Sequence, residues 1–142
     1  MKVREVMTRE VHTVTPDQAI REAASFMLSA DAGSIPVTEG DRLIGMITDR
    51  DIAVRGVAKG HGPDTPVREL MSDDLIVARI DDDVEDAASK MSNAQVRRLP
   101  VIDENERLCG IVSLGDLSQE SDEDTAAEAL EGVTEPGGEH QQ

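Results

Sequence analysis

The sequence repeats itself, and that restricts the fold more than any other feature. Val3-Arg4-Glu5-Val6-Met7-Thr8 returns 64 residues later as Val67-Arg68-Glu69-Leu70-Met71-Ser72. The same offset pairs Ala23-Ala24-Ser25 and Met27 with Ala87-Ala88-Ser89 and Met91, and Ile35-Pro36-Val37 with Leu99-Pro100-Val101. After one inserted residue, Leu43, Gly45, Ile47-Thr48 and Asp51-Ile52 match Leu108, Gly110, Val112-Ser113 and Asp116-Leu117. A pattern carried twice at a fixed spacing means one supersecondary unit built twice. At roughly 60 residues the unit exceeds common solenoid periods. It is closer to a half-domain that pairs with its copy.

Each copy reads as strand, helix, strand, strand, helix, an α/β (α+β) pattern. A short strand is expected at Val11–Val14 and at Leu75–Ala78. Thr15-Pro16-Asp17-Gln18 has the form of a capping box with Pro at the first helical position. Ile20, Ala23, Ala24, Met27 and Leu28 follow at helical spacing and predict one buried face. The second copy offers Val84, Ala87, Ala88 and Met91, with Asp81 as the cap. A hairpin is predicted next, from strands 34–38 and 43–47 around Glu39-Gly40-Asp41, and again from 98–102 and 108–112 around Asp103-Glu104-Asn105. A second helix is expected from Asp49 to about Ala58, and from Leu114 onward. The Gly- and Pro-rich stretch from Lys59 to Pro66 is the linker. The division is therefore 1–60 for the first repeat, 61–118 for the second, and 119–142 for an acidic tail. A short helix at Asp124–Leu130 and disorder from Gly132 are expected in the tail.

Composition excludes several functions. The formal charge is -16, from 14 basic and 30 acidic side chains. Phosphate backbones are bound by clustered Lys and Arg, so nucleic acid is not an expected partner. The chain has one Phe and no Tyr or Trp, so its core must be aliphatic and single-strand stacking platforms are missing. No apolar run reaches the ~18–20 residues of a membrane helix, and no signal peptide is visible. Cys109 is the only cysteine, which fits a reducing cytoplasm and leaves no Cys metal cluster. The segment after Ser118 holds eight acidic residues and no Lys or Arg, so residues 1–118 carry -8.

The candidate chemistry lies in Gly45-Met46-Ile47-Thr48-Asp49-Arg50-Asp51 and in Gly110-Ile111-Val112-Ser113-Leu114-Gly115-Asp116. In both, an apolar strand ends in a hydroxyl and an aspartate follows three residues later. A hydroxyl can donate to a phosphate, and an aspartate can accept from a ribose diol. The same spacing also describes a capping box, and the residues alone leave both readings open. A cation at Asp49 and Asp51 would need hard carboxylate ligands, but Leu114 replaces Asp49 in the second copy. His12, His61 and His140 lack zinc-ligand spacing. No nucleophile elbow, Walker motif or dinucleotide fingerprint occurs. Arg97-Arg98 precede Leu99-Pro100, where they are either phosphate contacts or a solvated surface pair. Arg50, Arg55 and Lys59 are further local cations.

The Val-Arg-Glu-Val/Leu-Met start, the Ile/Leu-Pro-Val strand and Gly-x-Ile/Val-Thr/Ser-x-x-Asp together resemble a tandem pair of CBS domains, the Bateman module. The resemblance spans about residues 1–118 and is similar to small stand-alone bacterial members. It implies two repeats packed as a pseudo-two-fold pair, with no catalytic activity and no catalytic cofactor. It implies an adenine nucleotide (AMP, ADP or ATP) in the cleft between repeats, signalling through a homodimer or a protein partner. Thr48 with Asp51 and Ser113 with Asp116 would then hold phosphate and ribose. Arg98, with Arg97 and Arg50 nearby, would meet phosphate. Ile35 and Leu99 would flank the base, and the backbone around Thr13 to Thr15 and Val77 to Arg79 would read its edge. The alternative is a structural or protein-interaction module with no small-molecule ligand.

Overall fold

Val3 and Val67 open the two copies of the repeated leader, and each is fully buried in the core of the other repeat. The structure is a computed structural model that describes residues 1–120, with side chains through Leu117. Its two compact units are residues 12–75, and residues 1–11 joined to residues 76 onward. The 60/61 boundary expected above is thus a boundary of sequence, whereas the units in space divide after the leaders have been exchanged.

The exchange follows one set of contacts, repeated at the 64-residue offset. The Val3 N–H donates to the Asp82 carbonyl at 2.8 Å, and the Val67 N–H to the Gln18 carbonyl at 2.8 Å. The Arg4 N–H reaches the Ile80 carbonyl as the Arg68 N–H reaches that of Pro16. Arg4 pairs with Asp81, and Arg68 with Asp17. These ion pairs are exposed and worth little. Burying each valine contributes about 2 kcal/mol and anchors the leader.

In the unit of residues 12–75, helix α2 (Ile20–Ala30) is followed by a hairpin of β1 (Ser34–Glu39) and β2 (Arg42–Thr48). The other unit begins with the single helical turn α1 (Val3–Val6). It continues with β3 (Ala78–Arg79), α3 (Val84–Ala94), β4 (Arg98–Ile102), β5 (Leu108–Ser113) and α4 (Leu114–Glu120). β3 runs parallel to β4, which is antiparallel to β5. Both hairpins carry a register shift at the same place, Val37/Thr38 and Val101/Ile102. The architecture is α+β, as the alternating pattern predicts.

Several elements differ from the sequence expectation. The first strand shrinks to Val14 alone, bridged to Val37, and to the two residues of β3. Thr15–Gln18 forms a separate turn, with the Gln18 amide oxygen accepting the Thr15 N–H at 2.7 Å. Helix α2 starts four residues later than expected, at Ile20, where Glu22 accepts the Ala19 N–H at 3.2 Å. Likewise Asp83, not Asp81, stands at the N-cap position of α3, without a side-chain capping hydrogen bond, while Asp81 pairs with Arg4. Ile20, Ala23 and Met27 are buried as expected, but Ala24 is exposed and Leu28 is 85% exposed. The face of α2 is narrower than its periodicity suggests. The helix expected from Asp49 to Ala58 becomes a π-helix at Asp51–Gly56 and a 3-10 turn at Val57–Lys59. Gly56 is buried there, and a Cβ would lie 2.9 Å from Leu70 Cδ1. The helix and disorder expected in the tail lie outside the described residues.

Candidate functional site

Gly45 and Gly110 explain how the two motifs are held. A Cβ on Gly45 would lie 2.9 Å from the Ser72 carbonyl oxygen, and one on Gly110 would lie 2.5 Å from that of Thr8. The glycines let the tail of each leader pair with the hairpin. Thr8 exchanges two backbone hydrogen bonds with Ile111, at 2.8 and 2.9 Å, and Ser72 does the same with Met46 at 2.9 Å each. These bridges clamp β5 two residues before Ser113 and β2 two residues before Thr48.

Beyond each clamp a hydroxyl and a carboxylate are locked together. The Thr48 N–H donates to Asp51 Oδ2 at 3.0 Å, and the Asp51 N–H to Thr48 Oγ1 at 3.0 Å. The Ser113 N–H donates to Asp116 Oδ2 at 2.8 Å, and the Asp116 N–H to Ser113 Oγ at 3.1 Å. Both pairs are half-buried capping boxes. Among the described residues, Oδ1 of each aspartate takes no hydrogen bond, so each retains an acceptor.

Arg98 lies directly opposite Ser113 across the β4–β5 ladder, so both side chains leave the same face. Ser34 opposes Thr48 at the matching place, and that copy has no cation there. Arg97 and Arg98 are exposed, and neither forms an ion pair among the described residues. Arg50 is also exposed and lies within the first motif. Asp49 Oδ1 accepts the Arg50 N–H at 2.8 Å, while Asp51 faces Thr48, so the two carboxylates serve different backbone groups. No group of three or more His, Cys, Asp or Glu among the described residues could hold a metal ion.

Ile35 and Leu99 do not line an open surface. They are 2% and 1% exposed and belong to the two cores. β1 and β4 are each buried at four consecutive positions, 35–38 and 99–102, so Ile35 and Leu99 pack into the two cores.

Thr13, Thr15 and Val77 lie on the open edge of the sheets. Val14 exchanges its N–H and carbonyl with Pro36 and Thr38, so alternation turns the polar groups of Thr13 and Thr15 away from β1. Val77 and Arg79 stand at the matching places beside β4. Five of these edge groups are already engaged: the N–H and carbonyl of both Thr15 and Arg79, and the Val77 carbonyl. The Thr15 N–H meets Gln18, and the Val77 carbonyl accepts the Lys90 ammonium at 2.8 Å. Lys90 also reaches Asp82 at 3.4 Å, whose carboxylate accepts the Arg79 N–H at 2.9 Å. Sequence reasoning did not single out Lys90. Its signal was its position, because the repeat offset places Phe26 there in the first copy, stacked on His12 with centroids 5.5 Å apart.

The CBS-domain family profile matches residues 3–56 and 67–123. A CBS domain-containing protein of Bacillus subtilis (strain 168), YhcV, is 45% identical over 133 residues, spanning 93% of this chain and 94% of its own length. The crystal structure of Hypoxic Response Protein I, with two coordinated zinc ions, superposes with a TM-score of 0.78 at 34% identity, covering 86% of this chain and all of that one. CBSX2 in complex with AMP superposes with a TM-score of 0.73 at 26% identity, covering 83% and 93%. No helix among the described residues is long and apolar enough to cross a membrane. The twofold leader–hairpin–hydroxyl–aspartate plan, the profile matches and these likenesses agree: the chain belongs to the CBS-domain family, whose paired domains are regulatory rather than catalytic modules.

Proposed function

We propose that the chain is a non-catalytic sensor of adenosine-containing nucleotides (AMP, ADP or ATP) that signals through contacts with a second copy of itself or with a partner protein in the cytoplasm. The observation that carries this reading is the hydroxyl–aspartate pair built twice, Thr48 with Asp51 and Ser113 with Asp116, each retaining an acceptor oxygen for a ribose diol. The AMP complex of a structurally similar CBS protein supports the choice of ligand. The open backbone edge at Thr13 offers the donor and acceptor that a base edge needs. Arg97 and Arg98, beside Ser113, supply positive charge for a phosphate.

A second reading is a structural or interaction module whose motifs only cap helices. It is favoured by the boxes themselves, in which each hydroxyl and carboxylate already serves a backbone N–H of the helix start. Calorimetric titration of ligand-stripped protein with AMP, ADP and ATP separates the two. The sensor reading expects saturable binding that weakens strongly in Asp51→Ala and Asp116→Ala. Absence of binding, or an affinity untouched by both substitutions while thermal stability falls, would establish the capping reading instead.

A further inference from the structure

The two base-reading edges are not equivalent, and one residue makes the difference. Thr13 and Val77 hold the same place in the two sheets, on the side turned away from β1 and β4. Each presents backbone polar groups outward, as an unpaired strand edge does. Adenine's base edge carries an amino donor next to a ring-nitrogen acceptor, and a backbone carbonyl beside an N–H complements it. In the first copy, the Thr13 carbonyl has no hydrogen-bond partner among the described residues. In the second, the Val77 carbonyl already accepts the Lys90 ammonium at 2.8 Å, which occupies one of its two lone pairs and sets a bulky cation against that edge. That ammonium is held from the other side by Asp82, and both groups are half-buried.

A lysine has three donors and no acceptor. Where adenine needs an acceptor for its amino group, the Val77 edge therefore presents a donor. The lysine is not a passive surface group, because its ammonium joins the Val77 carbonyl to the Asp82 carboxylate. A charge-assisted hydrogen bond to a partly buried carbonyl is also among the stronger kinds. Phe26, at the matching position on α2, has no donor and instead stacks on His12.

We propose that Lys90 is a specificity-determining residue that closes the second repeat's edge to adenine, so that the first repeat's edge at Thr13 is the adenosine reader. This rests on the nucleotide-binding reading of the preceding subsection. Adenosine is the probe, since it has no phosphate whose attraction to a lysine would confuse the result. The wild-type chain binds one adenosine per chain in calorimetric titration. Lys90→Met keeps an unbranched stem but removes the donor, so a second adenosine binds, with affinity for that site raised at least about tenfold. The reciprocal Phe26→Lys places an ammonium beside Thr13 and removes the wild-type site. This keeps the proposal testable if Lys90→Met fails to fold.

Two equal sites in the wild type would overturn the proposal. An unchanged stoichiometry and affinity in Lys90→Met, or weaker adenosine binding in that variant, would do the same. Binding of AMP but not of adenosine by the wild type would also overturn it while leaving the sensor reading intact. Absence of binding for both probes in every form would overturn both readings together.

Discussion

Gly110→Ala tests whether the exchanged leader is a structural part of the unit it enters. The new Cβ would stand 2.5 Å from the Thr8 carbonyl oxygen, 3.0 Å from Met7 Sδ and 3.3 Å from Met7 Cγ. The nearest obstacle is backbone, so a rotamer change cannot relieve it. The leader must move, and the two Thr8–Ile111 hydrogen bonds stretch or break. At ~1 kcal/mol for each bond, with a further ~1–3 kcal/mol of overpacking, the loss comes to about 3–5 kcal/mol. The stiffer unfolded chain returns less than about 1 kcal/mol of this. Gly45→Ala is the milder case, because its obstacles stand at 2.9 and 3.0 Å and the second is a flexible Met71 sulfur. It should cost about half as much. Gly40→Ala is the control: it meets nothing within 4 Å but has a φ of +63°, so only left-handed strain of about 1 kcal/mol applies. Urea denaturation followed by far-UV circular dichroism measures all three, and hydrogen exchange locates the loss in residues 76–120 for Gly110→Ala. A Gly110→Ala protein within about 0.5 kcal/mol of wild type, or one more stable than Gly45→Ala, would refute the reasoning.

The same plan makes further outcomes measurable. Val3→Ala and Val67→Ala each empty a fully buried site and should cost about 2 kcal/mol. Hydrogen exchange should quicken in residues 76–120 for Val3→Ala and in residues 12–75 for Val67→Ala; the opposite assignment would contradict the exchange of leaders. The Cys109 thiol is pushed above its ordinary pKa, first by partial burial and then by the Asp103 carboxylate, against the opposing pull of Arg9, Arg107 and Arg4. It therefore holds less thiolate than a free cysteine at pH 8 and should label more slowly with a maleimide, the rate still climbing at higher pH. Labelling at or above the rate of free cysteine would reject this.

Much of the fold was legible because it was written twice. Strand β4 begins and ends where the alternation around Leu99-Pro100-Val101 places it, and the α3 face of Val84, Ala87, Ala88 and Met91 is buried throughout. The first copy misleads where its periodicity is too generous, since Leu28 continues the apolar pattern of α2 yet stands in solvent. The leaders were readable as a repeated motif but not as helical turns, nor as exchanged ones. Either core satisfies the same Val-Arg-Glu pattern, and local sequence says nothing about which core is reached. A signal was nonetheless present, because a glycine inside an apolar strand marks a close backbone approach. In the site, Thr48, Asp51, Ser113 and Asp116 come together in pairs as their spacing predicts. Ile35 and Leu99 do not reach an open surface, because they belong to short apolar runs that are buried at four consecutive positions. Lys90 went unseen because its meaning depends on a carbonyl on another element.

The central claim is that this chain holds an adenine nucleotide, and its composition makes one measurement unusually direct. With no Trp and no Tyr, the chain has almost no absorbance of its own at 280 nm. A spectrum of purified protein, taken before and after unfolding and filtration, reads bound nucleotide without a label. The expected spectrum has a peak near 260 nm that travels with the folded protein, or that appears after incubation with AMP and gel filtration, and that passes into the filtrate on unfolding. A folded protein that retains no 260 nm absorbance after saturating AMP, ADP or ATP would contradict it.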